Sequence, residues 1–452
     1  MTKLFGTDGI RGEAGKFPLD AATVETIGVS LVTHLNEQLN RPPLVVLGRD
    51  TRESGEWLET ALRKGISKAG GRSQSAGVIT TPGVAYLART LPADAGIVIS
   101  ASHNPYRDNG IKVFSPSGRK LDEATERRIE ADIAAAGENP DSNHLADDTQ
   151  TTAEEGTLLK DRYLEYLQND VGRGLSLKGI RIVVDCANGA ASGIAPLLFE
   201  RLGATVTVIN AEPDGRNINL ASGSLHTDTL QGVVLQQKAH IGVAVDGDAD
   251  RSLFIDDRGR LANGDTALWV LANYMQARNQ LEKAIVVATV MSNIGLELAL
   301  KSKGIGLVRT DVGDKFVLDE LLRCGGSLGG EQSGHIIFPK LSLAGDGLIT
   351  TLYVLRVMVD EGKSLADLAT GLQIFPQILV NVPVKEKRPF DENNEIREAV
   401  KKAESGLGSR GRLLLRYSGT ELLARIMIEG EQQEQIEKMA NELAEVIRKH
   451  LA

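Results

Sequence analysis

Five short apolar runs, at residues 44–47, 97–99, 180–184, 241–245 and 285–287, each break off into a polar turn. Rich in Val and Ile and without alternation, they read as strands buried on both faces of a parallel sheet. Helix-like stretches at 53–69, 124–136, 160–169 and 296–303 lie between them. That alternation constrains the chain to an α/β architecture. In such sheets ligands gather beyond the carboxyl ends of the strands, so chemistry is expected in the turns. These read Gly48-Arg49-Asp50, Ser100-Ala101-Ser102-His103-Asn104-Pro105, Asp185-Cys186-Ala187-Asn188-Gly189 and Asp246-Gly247-Asp248-Ala249-Asp250-Arg251.

With 452 residues the chain exceeds what one core sustains, and three or four domains are expected. A polar stretch at 137–156 without periodicity reads as a connection after a first domain. A second boundary is expected just after Arg251. The last 80 or so residues change character, with strands near 378–384 and 412–415, a helix at 394–403 and a charged final helix from 432. They read as a separate α+β module.

The net charge of -9 lacks the basic footprint that nucleic acid or an anionic membrane requires, but a local cluster of Arg and Lys still suits a small anion. Cys186 and Cys324 form neither a disulfide framework nor a metal-ligand spacing and read as core residues. No stretch approaches the roughly 18 apolar residues needed to span a bilayer, and residues 1–15 lack the apolar core of a secretion signal. The cytoplasm is the expected compartment.

Asp246, Asp248 and Asp250 set three carboxylates at i, i+2 and i+4 after an apolar run. Clustered carboxylates raise one another's pKa unless a cation neutralises them, and hard oxygen ligands suit Mg2+. An EF-hand calcium loop is excluded because its sixth position is Arg251 instead of Gly and its twelfth Asp257 instead of Glu. A solvated acidic turn is the other reading. Ser102 is a weak nucleophile or phosphate acceptor unless a base, metal or dipole assists it, and His103, Asn104 and Lys112 offer such help. Turn hydrogen bonding by Ser100, Ser102 and Asn104 explains that segment equally well. In GGEQSGH (329–335) glycines let the backbone approach a ligand, Glu331 and Ser333 suit vicinal sugar hydroxyls, and His335 suits acid–base work; a plain polar turn is the alternative. RYSGTE (416–421), with Arg425 nearby, suits a phosphate cradle or a solvated loop.

Taken in order, FGTDGIRG (5–12), SASHNP with DNGIK (100–112), DGDADR (246–251), GEQSGH (330–335) and RYSGTE (416–421) resemble the α-D-phosphohexomutase superfamily. The resemblance implies an α/β fold of four domains around a central cleft. Three are mixed or parallel α/β sandwiches, at 1–150, 151–254 and 255–370, and the fourth is a C-terminal α+β domain at 371–452. By the same resemblance Ser102 carries a phosphoryl group and joins Asp246, Asp248 and Asp250 as ligands of one Mg2+ per subunit. Glu331 and Ser333 read sugar hydroxyls, and Arg416, Ser418, Gly419, Thr420 and Arg425 bind the phosphate that is not transferred. Arg11, Lys112, Arg251 and His335 line the transfer site, with Lys112 and His335 as candidates for proton transfer. The implied activity moves phosphate between two hydroxyls of one hexose through a phosphoserine, with a sugar 1,6-bisphosphate as intermediate and activator. The implied partner is a small phosphosugar, with no nucleic acid and no membrane, and a homodimer is allowed.

Within the superfamily, GEQSGH, TDVGDKFV (310–317), AGDGLIT (344–350) and FGTDGIRG are most similar to the branch that acts on glucosamine phosphates. Tyr417 and Leu422 depart from it, since that branch more often has proline there. The shared loops would serve any hexose, so mutases of mannose or glucose phosphates are the alternative. A silent phosphosugar-binding protein is a second, but it would need neither Ser102, the three aspartates nor Lys112. Gln332 and segment 311–314 are the expected readers of the substituent at carbon 2.

Overall fold

The computed structural model describes residues 3–6, 8–136, 153–418 and 421–452. It divides into two compact units, Met1–Thr289 with Thr310–Thr370, and Val290–Arg309 with Gly371–Ala452. The expected connection lies outside the described residues as far as 152, after which a helix, Ala153–Tyr166, begins earlier than periodicity indicated.

The first unit opens with a six-stranded sheet of β1 (Phe5–Gly6), β2 (Gly9–Glu13), β3 (Leu44–Arg49), β4 (Arg72–Val78), β5 (Ala95–Ile99) and β6 (Asp108–Phe114), in the order β1-β2-β6-β5-β3-β4. Strands β4, β3 and β5 are parallel, and β6 returns antiparallel to β5. Val45, Leu47, Ile97 and Ile99 share a core with Val24, Ile27 and Leu31 of helix Ala21–Asn36. The alternate positions Gly48 and Gly96 face Val84 of helix Thr81–Thr90. Both faces are covered, which is why β5 is buried along its whole length and its sequence shows no alternation.

A second sheet has β7 (Arg181–Asp185), β8 (Thr205–Ile209), β9 (Ile241–Val245), β10 (Ser252–Asp256) and β11 (Leu261–Ala262), in the order β11-β10-β9-β7-β8. Here sequence and structure differ. Strand β10 pairs antiparallel with β9, so the aspartate loop joins neighbouring strands and does not lead out of the sheet. A division at 254 falls inside β10, whose side chains are buried throughout. The serine loop is built alike, since residues 100–107 connect the antiparallel neighbours β5 and β6. Both sheets are therefore mixed.

A third sheet pairs Ile285–Thr289 parallel with Gly329–Gly330, which pairs antiparallel with Ile336–Ile337; the GEQSGH turn connects the last two. In the second unit Leu423–Glu429 is flanked by Gln377–Pro383 and Arg412–Tyr417, all antiparallel. Helices Asn394–Leu407 and Gln433–Leu451 cover this sheet over a core that includes Val382, Ile396, Ile426, Ile436 and Ile447. Cys186 is buried as expected, whereas Cys324 is only half-buried because it ends the amphipathic helix Asp314–Cys324. Among the described residues no helix is long and apolar enough to cross a membrane.

Candidate active site

Ser102 is fully buried with φ +54, a left-handed conformation that disfavours side chains. Backbone contacts hold it there. The Arg52 guanidinium donates to the carbonyls of Ser102 (3.0 Å), Asn104 (2.9 Å) and Pro105, and Asn219 Nδ2 donates to Ser102 O at 2.9 Å. Arg52 is itself paired with the buried Asp50 at 2.9 Å, and Asp50 accepts from the Ser100 hydroxyl at 2.6 Å. The Ser102 hydroxyl donates to Asp246 Oδ2 at 2.6 Å and lies 3.3 Å from His103 Nδ1. Burial and the nearby Arg251 and Arg11 push the His103 imidazole down to about 4, so it is neutral at physiological pH.

The loop that carries the aspartates is pressed against the serine loop. A Cβ on Gly247 would lie 2.7 Å from Ser102 O and 2.8 Å from Ile218 Cδ1, so only glycine allows this approach. Asp246, Asp248 and Asp250 are buried and each offers an oxygen within 4.8 Å of the others. Asp248 Oδ2 accepts from Thr81 Oγ1 (2.6 Å) and Lys112 Nζ (2.8 Å). Among the described residues Asp248 Oδ1 and Asp250 Oδ1 are buried without a hydrogen-bond partner, Asp250 Oδ1 having only the longer ion-pair contacts to His335 (3.7 Å) and Arg251 (3.8 Å). Unpartnered anionic oxygens cost several kcal/mol or more when buried, so this donor set fits a divalent cation with oxygen ligands. Burial, with Asp250 and Asp248 adjacent, pushes the Asp246 carboxyl well above its usual range. Burial acts the same way on Asp250, but Lys112 and His335 outweigh it and hold that carboxyl well below.

A cavity of about 370 Å³ opens beside the aspartates, lined by Asp8, Arg11, His103, Asp250, Arg251, Asp314, Glu331 and His335 among others. Burial would depress the Lys112 ammonium, but Asp248, Asp8 (3.0 Å) and Asp250 (3.5 Å) hold it well above its usual value. Arg11 pairs with Asp8, and Arg251 lies 3.1 Å from His103 Nδ1 and 3.8 Å from Asp250. His335 is buried between Asp250 (3.7 Å) and Asp314 (3.8 Å). Burial lowers its pKa, yet the two carboxylates prevail and raise it to about 9. The Gly345 amide, 3.1 Å from Nε2, favours the ring with its proton on Nδ1 alone. Between the two carboxylates, Asp250 shared with Lys112 and Asp314 with Lys120, the protonated ring prevails, and the amide contact marks where the neutral ring would be held.

Sugar-reading candidates are split. Glu331 lines the cavity, accepting from Gly313 N (3.2 Å) and Ser333 Oγ (3.4 Å), and makes no ion pair among the described residues; Ser333 is exposed. Of segment 311–314, Val312, Gly313 and Asp314 line the cavity and Asp311 does not. Asp314 is neutralised by Lys120 at 2.5 Å.

In the second unit, Arg416 and Arg425 stand opposite each other in the ladder of Arg412–Tyr417 with Leu423–Glu429. Arg425 pairs with Glu421 at 3.1 Å, and Ser418 is buried with its carbonyl accepting from Lys387 Nζ at 2.7 Å. Gly419 and Thr420 lie outside the described residues. Sequence reasoning missed Asp8, Thr81, Arg52, Lys120 and Lys387. The first lies inside FGTDGIRG and was legible there; the others meet their partners only through the fold.

The chain matches the phosphoglucomutase/phosphomannomutase family in four stretches: alpha/beta/alpha domain I over residues 2–140, domain II over 161–259, domain III over 263–374 and the C-terminal domain over 379–446. It is 46% identical over 448 residues to the phosphoglucosamine mutase of Solibacter usitatus, covering 99% of both chains. Identity to the phosphoglucosamine mutase of Koribacter versatilis is 46% over 451 residues, covering 99% of this chain and 97% of that one. In fold it is similar to the crystal structure of a phosphoglucomutase/phosphomannomutase family protein from Burkholderia thailandensis, with a TM-score of 0.79, 24% identity and coverage of 99% and 97%.

Proposed function

We propose that this chain, which belongs to the phosphoglucomutase/phosphomannomutase family, interconverts glucosamine 6-phosphate and glucosamine 1-phosphate by passing a phosphoryl group through Ser102. The observation that carries this reading is the buried Ser102 hydroxyl, held by its donated bond to Asp246 at the edge of three converging carboxylates. The sugar is assigned from the likeness to phosphoglucosamine mutases over nearly the whole chain.

Phosphate monoester transfer needs up to about 10²¹-fold acceleration, and most of it must come from positioning and charge neutralisation. Asp246, Asp248 and Asp250, with an oxygen on Ser102, would hold one Mg2+, which when bound offsets the charge of the phosphoryl oxygens. The substrate's free hydroxyl bonds to phosphorus as the bond from phosphorus to Ser102 Oγ breaks, giving a sugar 1,6-bisphosphate. That molecule turns end for end, and its other phosphoryl group returns to Ser102. Lys112 remains an ammonium and serves as a fixed positive charge. His335 is the proton-transfer group: with its ring neutral it takes the proton of the attacking hydroxyl as Ser102 Oγ leaves as an alkoxide, and it gives that proton to the sugar oxygen that departs when Ser102 Oγ takes the other phosphoryl group. Arg11 and Arg251 add positive charge at the cavity. Glu331 and Ser333 accept and donate to sugar hydroxyls, and Glu331 is suited to an ammonium at carbon 2 because Asp314 is already paired with Lys120.

Arg416, Ser418, Gly419, Thr420 and Arg425 take the phosphate that stays on the sugar. In support, Arg416 and Arg425 are paired in register, which brings two cationic residues to one end of the ladder. Measured kcat/KM values for glucosamine, glucose and mannose 6-phosphates, side by side, test the assignment. The reading expects the amino sugar to lead, and a higher value for mannose or glucose phosphate contradicts it.

A further inference from the structure

Residues 345–347 stitch together three parts of the first unit. A Cβ on Gly345 would lie 2.3 Å from Nε2, 2.4 Å from Cδ2 and 2.5 Å from Cε1 of His335, so this backbone rests directly on the imidazole, with its amide 3.1 Å from Nε2. Gly347 N donates to Ala249 O at 3.0 Å inside the aspartate loop, and a Cβ on Gly347 would meet Arg251 O at 2.6 Å. Between them Asp346 is buried and uses both carboxylate oxygens. Oδ1 accepts from Leu348 N (2.9 Å) and Ile349 N (3.0 Å), capping helix Gly347–Glu361. Oδ2 accepts from the Tyr163 hydroxyl at 2.7 Å. Tyr163 is fully buried on helix Ala153–Tyr166, and its hydroxyl, which also meets the Thr80 side chain, makes this bond in the interior.

We propose that Tyr163 and Asp346 are positioning residues, whose hydrogen bond fixes the turn at 345–347 and thereby sets His335 and the aspartate loop in their mutual register. Helix capping alone needs only Asp346 Oδ1, and packing alone is satisfied by phenylalanine, so the bond to Tyr163 is surplus to both. Its chemistry suits a fixed strut. Burial lifts Asp346 to about 6, which leaves it ionised at neutral pH, and burial beside that carboxylate holds the Tyr163 hydroxyl well above its usual value. Tyr163 thus stays the donor, and a bond to a charged acceptor is the stronger kind.

The inference rests on the reading of His335 as the proton-transfer group. Steady-state kcat and KM for glucosamine 6-phosphate, with melting curves, are measured on the full chain and on Tyr163→Phe, Asp346→Asn, His335→Ala and the double variant Tyr163→Phe/His335→Ala. A misplacement of about 1 Å costs up to about 100-fold, so Tyr163→Phe and Asp346→Asn should each lower kcat about 10-fold while KM stays within about twofold. With His335 absent there is less to position, so the double variant should be no more than about twofold slower than His335→Ala. Normal kcat in Tyr163→Phe, losses that multiply in the double variant, or a loss accounted for by the unfolded fraction would each overturn the inference. An unimpaired His335→Ala would instead contradict the role of His335 itself and remove what the pair positions.

Discussion

The Ser102 hydroxyl donates to Asp246 Oδ2 at 2.6 Å across 144 residues of sequence. Two loops from different sheets therefore meet at one atom. Ser102 reaches this position only by adopting φ +54, which costs a non-glycine residue about 1–3 kcal/mol and persists only where surrounding contacts impose it. The contacts that impose it come from Arg52, Asn219 and Ser100, and they make the first prediction.

Arg52→Lys keeps the charge but loses the planar fork that reaches Asp50 and three carbonyls of the serine loop. Turnover should fall about 10- to 100-fold, since the strained serine is no longer over-determined. Stability should fall by about 1–3 kcal/mol through the lost hydrogen bonds, read from urea unfolding. A variant with normal rate and normal midpoint would show that Arg52 does not hold the loop.

Chelation should abolish turnover and added Mg2+ should restore it, because Asp248 Oδ1 and Asp250 Oδ1 are buried oxygens with no hydrogen-bond partner among the described residues. Asp248→Asn replaces one anionic ligand by a neutral one and should raise the Mg2+ needed for half-maximal rate by at least about 10-fold. Full activity in excess chelator would contradict the metal assignment.

Arg416→Ala removes one of two arginines paired in register across the ladder in the second unit. A charge-assisted contact is worth about 1.5–3 kcal/mol, and 1.4 kcal/mol is tenfold, so KM should rise about 10- to 100-fold. The effect on kcat should be smaller. Equal loss for a substrate analogue lacking phosphate would show that Arg416 binds something else.

Much of this arrangement was legible in the sequence, for identifiable reasons. Strands β5 and β9 announced themselves because helices or neighbouring strands bury every side chain, which leaves no polar position to break the run. The aspartates were visible because their spacing is local. Strand β10 was not anticipated, since nothing local tells that SLFID turns back along β9 instead of opening a new domain. The polar turn at Gly48-Arg49-Asp50 is visible in the sequence, but the functional contact comes from Arg52, whose carbonyl partners lie some fifty residues on. Thr81 and Lys120 were silent for the same reason, as their carboxylate partners at Asp248 and Asp314 are brought to them only by the fold. The pairing of Tyr163 with Asp346 likewise joins positions 183 residues apart.

The most direct test of the account is the fate of phosphate on Ser102. Protein labelled with radioactive phosphate is mixed with excess unlabelled glucosamine 6-phosphate, quenched within one turnover, and the digested peptides and the sugar fraction are counted. The account predicts that label starts on the peptide containing Ser102 and passes to a sugar bisphosphate at the rate of the catalysed reaction, with Ser102→Ala taking up no label and losing nearly all turnover. Label elsewhere in the chain, label on Ser102 that never leaves, or a Ser102→Ala variant of near-normal rate would contradict it.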